Sequence, residues 1–333
     1  MPNEPLVSLI IPAYNSQIDV GAAIAGALAQ IYANKEVIVV NDGSRDGTRR
    51  ILEGFGDLIK VVDKPNGGVS SARNAGVAVA EGDYISFADA DDVTLPGFLD
   101  AMMATLRAAG PGKWWVYSQA YFMSAEGIDL RRPVVFGGPF SPQEQRLAIL
   151  QRNIAGPPAS LVLAEMHREI GGFDESMRSP EDWDYWARAI FNGWSGVLQP
   201  KPFYLYRWTE SSLSSNREAM LAGEDRIMEK LRELFWDSMS ADEQQALERR
   251  LRLGSPFRLL ANANIALRKQ DYPAATELFK QAASVASLDR KLQIKARSME
   301  LLPPVARYWR ARRLAADKQR RRFDYSAEDA DVT

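Results

Sequence analysis

The chain has 333 residues, a length that suits about two domains. Hydrophobic residues make up 46% and charged residues 25%, ordinary values for a folded protein with a sizeable core. Cys is absent and His167 is the one histidine. That composition excludes disulfide frameworks, Cys-zinc sites, thiol nucleophiles and multi-His metal sites.

The longest uncharged run, Val20–Asn34, is 15 residues, short of the roughly 20 that span a bilayer. The opening MPNEPLVS lacks the basic and apolar regions of a signal peptide. The expectation is a cytoplasmic protein, soluble or peripheral on the inner face of the plasma membrane. The net charge of −2 is unevenly spread: Arg290–Phe323 holds 12 Lys/Arg against 2 Asp/Glu, and Asp324–Thr333 adds four acids. The first 289 residues carry −8, so the body does not read as a nucleic-acid binder.

In chain order, strand and helix alternate. Val7–Ile11 is a short apolar strand that stops at Pro12. Val20–Ala33 has helical spacing, with Ile24, Leu28 and Ile31 on one face. Glu36–Val40 is a second strand, ending in Asn41-Asp42-Gly43-Ser44. Thr48–Phe55 reads as helix, Ile59–Val62 as strand and Ser70–Ala80 as a small-residue helix. Tyr84–Ala88 is a fourth strand and runs into Asp89-Ala90-Asp91-Asp92. Alternation of this kind implies right-handed βαβ units and a mostly parallel sheet flanked by helices. Ligands of such sheets sit beyond the carboxyl ends of the strands, where Tyr14-Asn15, Asn41-Asp42 and Asp89–Asp92 all fall.

Residues 100–215 are mixed, with strand-like Trp114–Phe122 and Phe203–Trp208 and a helix near Asp182–Phe191. After about Ser215 the chain turns helical. Phe257–Ser287 has Tyr272, Ala275, Phe279 and Ala282 at the spacing of one tetratricopeptide-type hairpin. A generic helical hairpin fits the same pattern. The organisation expected is 1–215, with a donor half 1–100 and an acceptor half 101–215, then a helical region 216–300, then a basic helix and acidic tail 301–333.

Asp89, Asp91 and Asp92 repel one another, and burying them without a cation is costly. They need a hard cation such as Mg²⁺ or Mn²⁺, or they form a solvated turn or helix cap. The surrounding motifs favour the first. Ile11-Pro12-Ala13-Tyr14-Asn15, Val40-Asn41-Asp42-Gly43-Ser44, Asn66-Gly67-Gly68 with Ser71-Ala72-Arg73-Asn74, Gly82-Asp83 leading to Asp89-Ala90-Asp91-Asp92, Gly171-Gly172-Phe173-Asp174 and Glu181-Asp182-Trp183-Asp184 occur in this order. Together they resemble the family 2 glycosyltransferases, which have the nucleotide-sugar-binding fold called GT-A. The resemblance covers residues 5 to about 215.

The resemblance implies an inverting transferase that moves a sugar from a nucleotide-sugar donor, a UDP-sugar first, to a hydroxyl of a saccharide or lipid-linked saccharide. Such chemistry belongs to bacterial surface polysaccharide synthesis. It implies donor contacts at Pro12, Ala13, Tyr14, Asn15, Asp42, Asn66, Arg73, Asp89, Ala90, Asp91 and Arg207. Asp89 and Asp91 would hold the divalent cation. Asp182 would be the general base, with Glu181 and Asp184 as local rivals; by itself each of the three also suits a first-turn acid at a helix start. Tyr206-Arg207-Trp208-Thr209 departs from the family by placing Thr where many relatives have His, which leaves phosphate neutralisation to Arg207. A sugar nucleotidyltransferase and a non-catalytic donor-binding scaffold are the competing expectations. His167 is expected at the surface or as a cap. The stripe Leu301, Leu302, Val305, Tyr308, Trp309, flanked by arginines up to residue 323, suits an anionic membrane interface.

Overall fold

The computed structural model describes residues 4–124, 127–134, 140–155, 159–207 and 217–301. Trp208, Thr209 and the basic tail lie outside the described residues. The chain divides into two compact units, one made of residues up to Ile149 with Asn153–Gly223, the other of Leu150–Arg152 with the chain from Glu224 onward.

The first unit is built on a nine-stranded sheet. Its opening strands are β1 (Val7–Ala13), β2 (Lys35–Asp42), β3 (Lys60–Lys64) and β4 (Tyr84–Phe87). They lie side by side as β3-β2-β1-β4, and all three pairings are parallel. All seven residues of β1 are buried, as expected of a parallel strand covered on both faces. One face carries α1 (Val20–Leu28), with Ile24 and Ala27 fully buried, and beside it the short α2 (Thr48–Glu53). The other carries α3 (Val69–Ala78), which approaches so closely that a Cβ on Gly76 would sit 2.4 Å from Ile10 Cγ2.

The predicted helix Val20–Ala33 ends early, at Leu28. Gln30 is buried and turns back across the chain, donating to Leu95 O at 2.9 Å and accepting from Leu99 N at 3.1 Å. Ile31, placed on the apolar face by helical spacing, is therefore exposed.

Beyond β4 the sheet changes character. The further strands are β5 (Val93–Thr94), β6 (Trp114–Ser124), β7 (Gly127–Val134), β8 (Ser160–Leu163) and β9 (Ser195–Arg207). β8 runs antiparallel to both β4 and β6, β9 parallel to β6, β5 antiparallel to β9, and β7 antiparallel to β6. The parallel half is thus the βαβ part legible in the sequence, and the mixed half follows it. Packed on the sheet are α4 (Phe98–Ala108), α5 (Pro142–Ile149), α6 (Ala164–Ile170) and α7 (Glu181–Phe191). α7 is anchored by aromatics: Trp186 stacks on Trp115 and Tyr185 on Phe173, each at 4.0 Å between ring centroids.

His167, expected at the surface or as a cap, is buried in this aromatic cluster. Its Nδ1 lies 3.1 Å from the Tyr185 hydroxyl. Burial, with Arg188 and Arg168 nearby, pushes it down to about 4, so it is neutral at physiological pH.

The second unit is helical. α8 (Arg217–Phe235) leads into it, followed by α9 (Ala241–Leu253), α10 (Pro256–Arg268), α11 (Tyr272–Val285) and α12 (Arg290–Leu301). α9 opens on a capping box in which Ser240 and Glu243 satisfy each other's backbone. α10 and α11 form a hairpin whose core includes Ala275, Phe279 and Ala282, and α12 packs on α11. Among the described residues no helix is long and apolar enough to cross a membrane.

Candidate active site

Four of the sequence motifs end at the carboxyl side of the parallel strands. Pro12 and Ala13 close β1 and are buried, whereas Tyr14 is 49% exposed and Asn15 has a positive φ of 49°. The Asn15 side chain accepts the Arg45 amide at 2.9 Å, and its own amide donates to Ser44 Oγ at 3.0 Å. The loops after β1 and β2 are therefore tied together, with the Tyr14 ring left free of the core.

Asp42 ends β2, buried to 2% exposure. It accepts from the amides of Gly67 and Gly68 at 2.9 and 2.8 Å, and from Lys64 Nζ at 2.6 Å. Gly68 is the N-cap of α3 with φ 88°, a conformation suited to glycine. Asp42 thus holds the turn that leads into α3. Asn66, exposed in the same turn, donates to Asp42 O at 3.0 Å.

Arg73, one turn into α3, is 3% exposed. Its Nη2 lies 2.9 Å from Asp89 Oδ1 and its Nη1 lies 2.8 Å from Glu181 Oε1. The Phe173 ring covers the guanidinium at 5.2 Å. Burial opposes its charge, but Asp89 and Glu181 more than offset that and raise its pKa. Arg73 turns inward, joining the acidic loop after β4 to the first residue of α7.

That loop brings oxygens of Asp89, Asp91 and Asp92 within 4.8 Å of one another. Asp92 is the buried member, at 2% exposure, and it accepts the Arg207 amide at 2.7 Å. The expectation that none of these acids is a core feature therefore fails for Asp92, which ties the loop to β9. Burial, with Asp91 and Asp89 beside it, pushes its pKa well up. Ala90 is buried between the acids. Burial and Asp89 push Asp91 up to about 6. Arg207 reaches the loop from β9, its Nε donating to Asp91 O at 2.8 Å and lying 3.2 Å from Asp19. One arginine paired with Asp89 leaves the cluster richer in negative charge than in cations, a donor set that fits a hard divalent ion.

The three acids at the start of α7 have separate fates. Glu181 is paired with Arg73. Asp184 is 1% exposed and ion-paired with Arg188 at 2.8 Å, which also bonds the Ile170 and Gly172 carbonyls. Asp182 has no cation within ion-pair distance among the described residues; it accepts from Asn153 Nδ2 at 2.9 Å and from the Trp183 amide at 2.8 Å. Burial, then Glu181, push it up to about 7 against the pull of Arg73. A carboxylate poised there takes up a proton readily at neutral pH. Lys64 and Asn153 were not singled out in the sequence. Lys64 has the signal of a cation four residues before Gly68; Asn153 has none.

A family model described as "Glycosyl transferase family 2" matches residues 8–181, more than half of the chain. The chain belongs to glycosyl transferase family 2. Among the relatives of this family 2 transferase is an uncharacterized glycosyltransferase of Rickettsia conorii, 29% identical over 300 residues, covering 87% of this chain and 47% of that protein. Another from Rickettsia felis is 33% identical over 190 residues, 56% of this chain and 31% of that one. The transferase thus spans about half the length, or less, of these relatives. The solved structure of Staphylococcus aureus TarS residues 1–349 in complex with UDP-GlcNAc aligns over 92% of this chain and 87% of that one, with a TM-score of 0.60 at 18% identity, a likeness of fold. The GT-A-type fold and the family expected from the sequence both stand.

Proposed function

We propose that the protein transfers a sugar from a UDP-sugar to a hydroxyl of a saccharide or lipid-linked saccharide, with inversion, in the assembly of a bacterial surface glycan. The observation that carries the reading is the sorting of the acids at α7. Glu181 and Asp184 are held by arginines, while Asp182 is ion-paired with no cation among the described residues and raised to about 7. The same arginine that holds Glu181 also holds Asp89, so the acidic loop and the base are fixed relative to each other. The bacterial relatives named as glycosyltransferases support sugar transfer, and the UDP-GlcNAc bound to TarS supports the donor class.

In this reading the donor base lies against Tyr14 and the loop of Pro12, Ala13 and Asn15, with Asp42 and Asn66 at its edge. Asp89 and Asp91 would hold a divalent cation, which when bound supplies positive charge for the departing diphosphate. Arg207 adds charge from β9. Asp182 takes the proton of the acceptor hydroxyl as its oxygen bonds to the anomeric carbon. The bond from that carbon to the diphosphate oxygen breaks, and UDP leaves with the electron pair. Attack and departure on opposite faces invert the anomeric centre. The basic stretch 301–323 would bring the enzyme to an anionic membrane on the cytoplasmic side, where a lipid-linked acceptor resides.

The test is a thermal-shift panel of UDP, GDP, CDP and ADP with Mn²⁺, followed by product detection with UDP-sugars. A shift with UDP and transfer from a UDP-sugar are expected, since ligand binding stabilises by mass action. No shift with any nucleotide would reject the reading.

A further inference from the structure

Asn153 stands between α5 and β8, outside every motif that marked the site. Its Nδ2 donates to Asp182 Oδ2 at 2.9 Å. The other oxygen of that carboxylate, Oδ1, accepts the Trp183 amide at 2.8 Å. The Trp183 indole, 2% exposed, in turn donates to Ile149 O at 2.8 Å. Ile149 and Asn153 therefore fasten the first turn of α7 at two points, and one of these is the carboxylate itself.

An aspartate's terminal torsion is broad and roughly two-fold. A hold on each oxygen removes that freedom. An ionised carboxylate offers about four lone-pair sites, so a hydroxyl is left with defined places to approach. We propose that Asn153 is a positioning residue for this transferase, fixing the rotation of the Asp182 carboxylate and favouring its ionised form. The inference rests on the reading of Asp182 as the base.

The electrostatics agree with the geometry. The charged groups that act on Asp182 are Glu181 on its own helix, which disfavours ionisation, and Arg73 from α3, which favours it. Arg73 divides its attraction between Asp89 and Glu181. The Asn153 N–H gives the carboxylate a donor that no other acceptor among the described residues contests, and a bond to the charged form lowers a pKa.

The test reads the carboxylate directly. The full chain, labelled with ¹³C at aspartate carboxyls, is titrated by NMR, and Asp182 is identified by the signal lost in Asp182→Asn. In Asn153→Ala the Asp182 midpoint should rise by about one pH unit. UDP affinity should stay within twofold, and UDP release from UDP-GlcNAc should fall about tenfold at pH 7, with its acid limb displaced upward alongside the midpoint. Asn153→Ser, which restores a shorter donor, should recover part of the shift. If Asn153→Ala fails to fold, the near-isosteric Asn153→Asp replaces the donor with an acceptor and should raise the midpoint further. An unchanged midpoint in a folded Asn153 variant, beside an inactive Asp182→Asn, overturns the inference and leaves the base in place. Turnover by Asp182→Asn at the wild-type rate rejects the base, and the inference falls with it.

Discussion

Arg73 and Glu181 are 2.8 Å apart although 108 positions separate them in the chain. The same guanidinium reaches Asp89 with its other nitrogen. A helix of the parallel half thereby fixes both the loop after β4 and the helix that carries Asp182.

Removing that guanidinium leaves two carboxylates in a partly buried space without a cation. Breaking a buried ion pair by losing one partner typically costs about 3–5 kcal/mol. Arg73→Met should therefore lower the unfolding free energy of the first unit by this order, measured in urea. Arg73→Lys should recover little of it, because one ammonium cannot reach both acids in the geometry of a guanidinium fork. An unfolding free energy unchanged in Arg73→Met would show that the two acids do not depend on it.

Asp182→Asn should stabilise the protein while disabling it. The folded state raises this pKa from 3.8 to about 7, so the unfolded chain releases the proton more readily. The stability associated with the protonated group is complete below about pH 4 and is lost as pH rises to about 7. The asparagine variant escapes that loss. Its gain in Tm should be absent near pH 4 and largest above pH 7, measured by calorimetry across that range. A variant less stable than wild type at pH 8 would contradict the assigned burial cost.

Much of this was open to sequence reasoning. Apolar runs ending in polar clusters located β1, β2, β4 and the acidic loop, because buried parallel strands and exposed carboxyl ends leave strong local patterns. The partners of Arg73 did not show, since the acids it binds lie 108 and 16 positions away in the chain. Asn153 was silent for the same reason: a single amide in an irregular segment carries no period. Asp92 and His167 misled because charge and polarity suggest exposure, whereas the Arg207 amide and the Tyr185 hydroxyl give them buried partners.

The acidic loop leads to a metal prediction. UDP affinity, measured by calorimetry, should be stronger with Mn²⁺ than with EDTA by tenfold or more, about 1.4 kcal/mol. Asp91→Asn should abolish most of that difference without unfolding the chain, because the Asp92 side chain and the Asp91 backbone carbonyl, not the Asp91 carboxylate, tie the loop to β9. Equal affinity with Mn²⁺ and EDTA would remove the cation from the mechanism.

The basic stretch after α12 gives a separate expectation. The full chain should co-sediment with anionic vesicles at low salt and release as salt rises, since polybasic attraction is screened. A truncation after Leu302 should lose this binding. Equal sedimentation with neutral vesicles would reject the membrane role.

The central claim, that Asp182 is the base of a sugar transfer, is tested most directly by comparing wild type and Asp182→Asn for UDP affinity and for turnover of the UDP-sugar that the panel identifies. General-base losses are typically about 10² to 10⁴-fold. The account predicts UDP affinity within twofold, a turnover loss in that range, and a wild-type kcat/KM that falls as pH drops below about 7. Near-wild-type turnover by Asp182→Asn would contradict it.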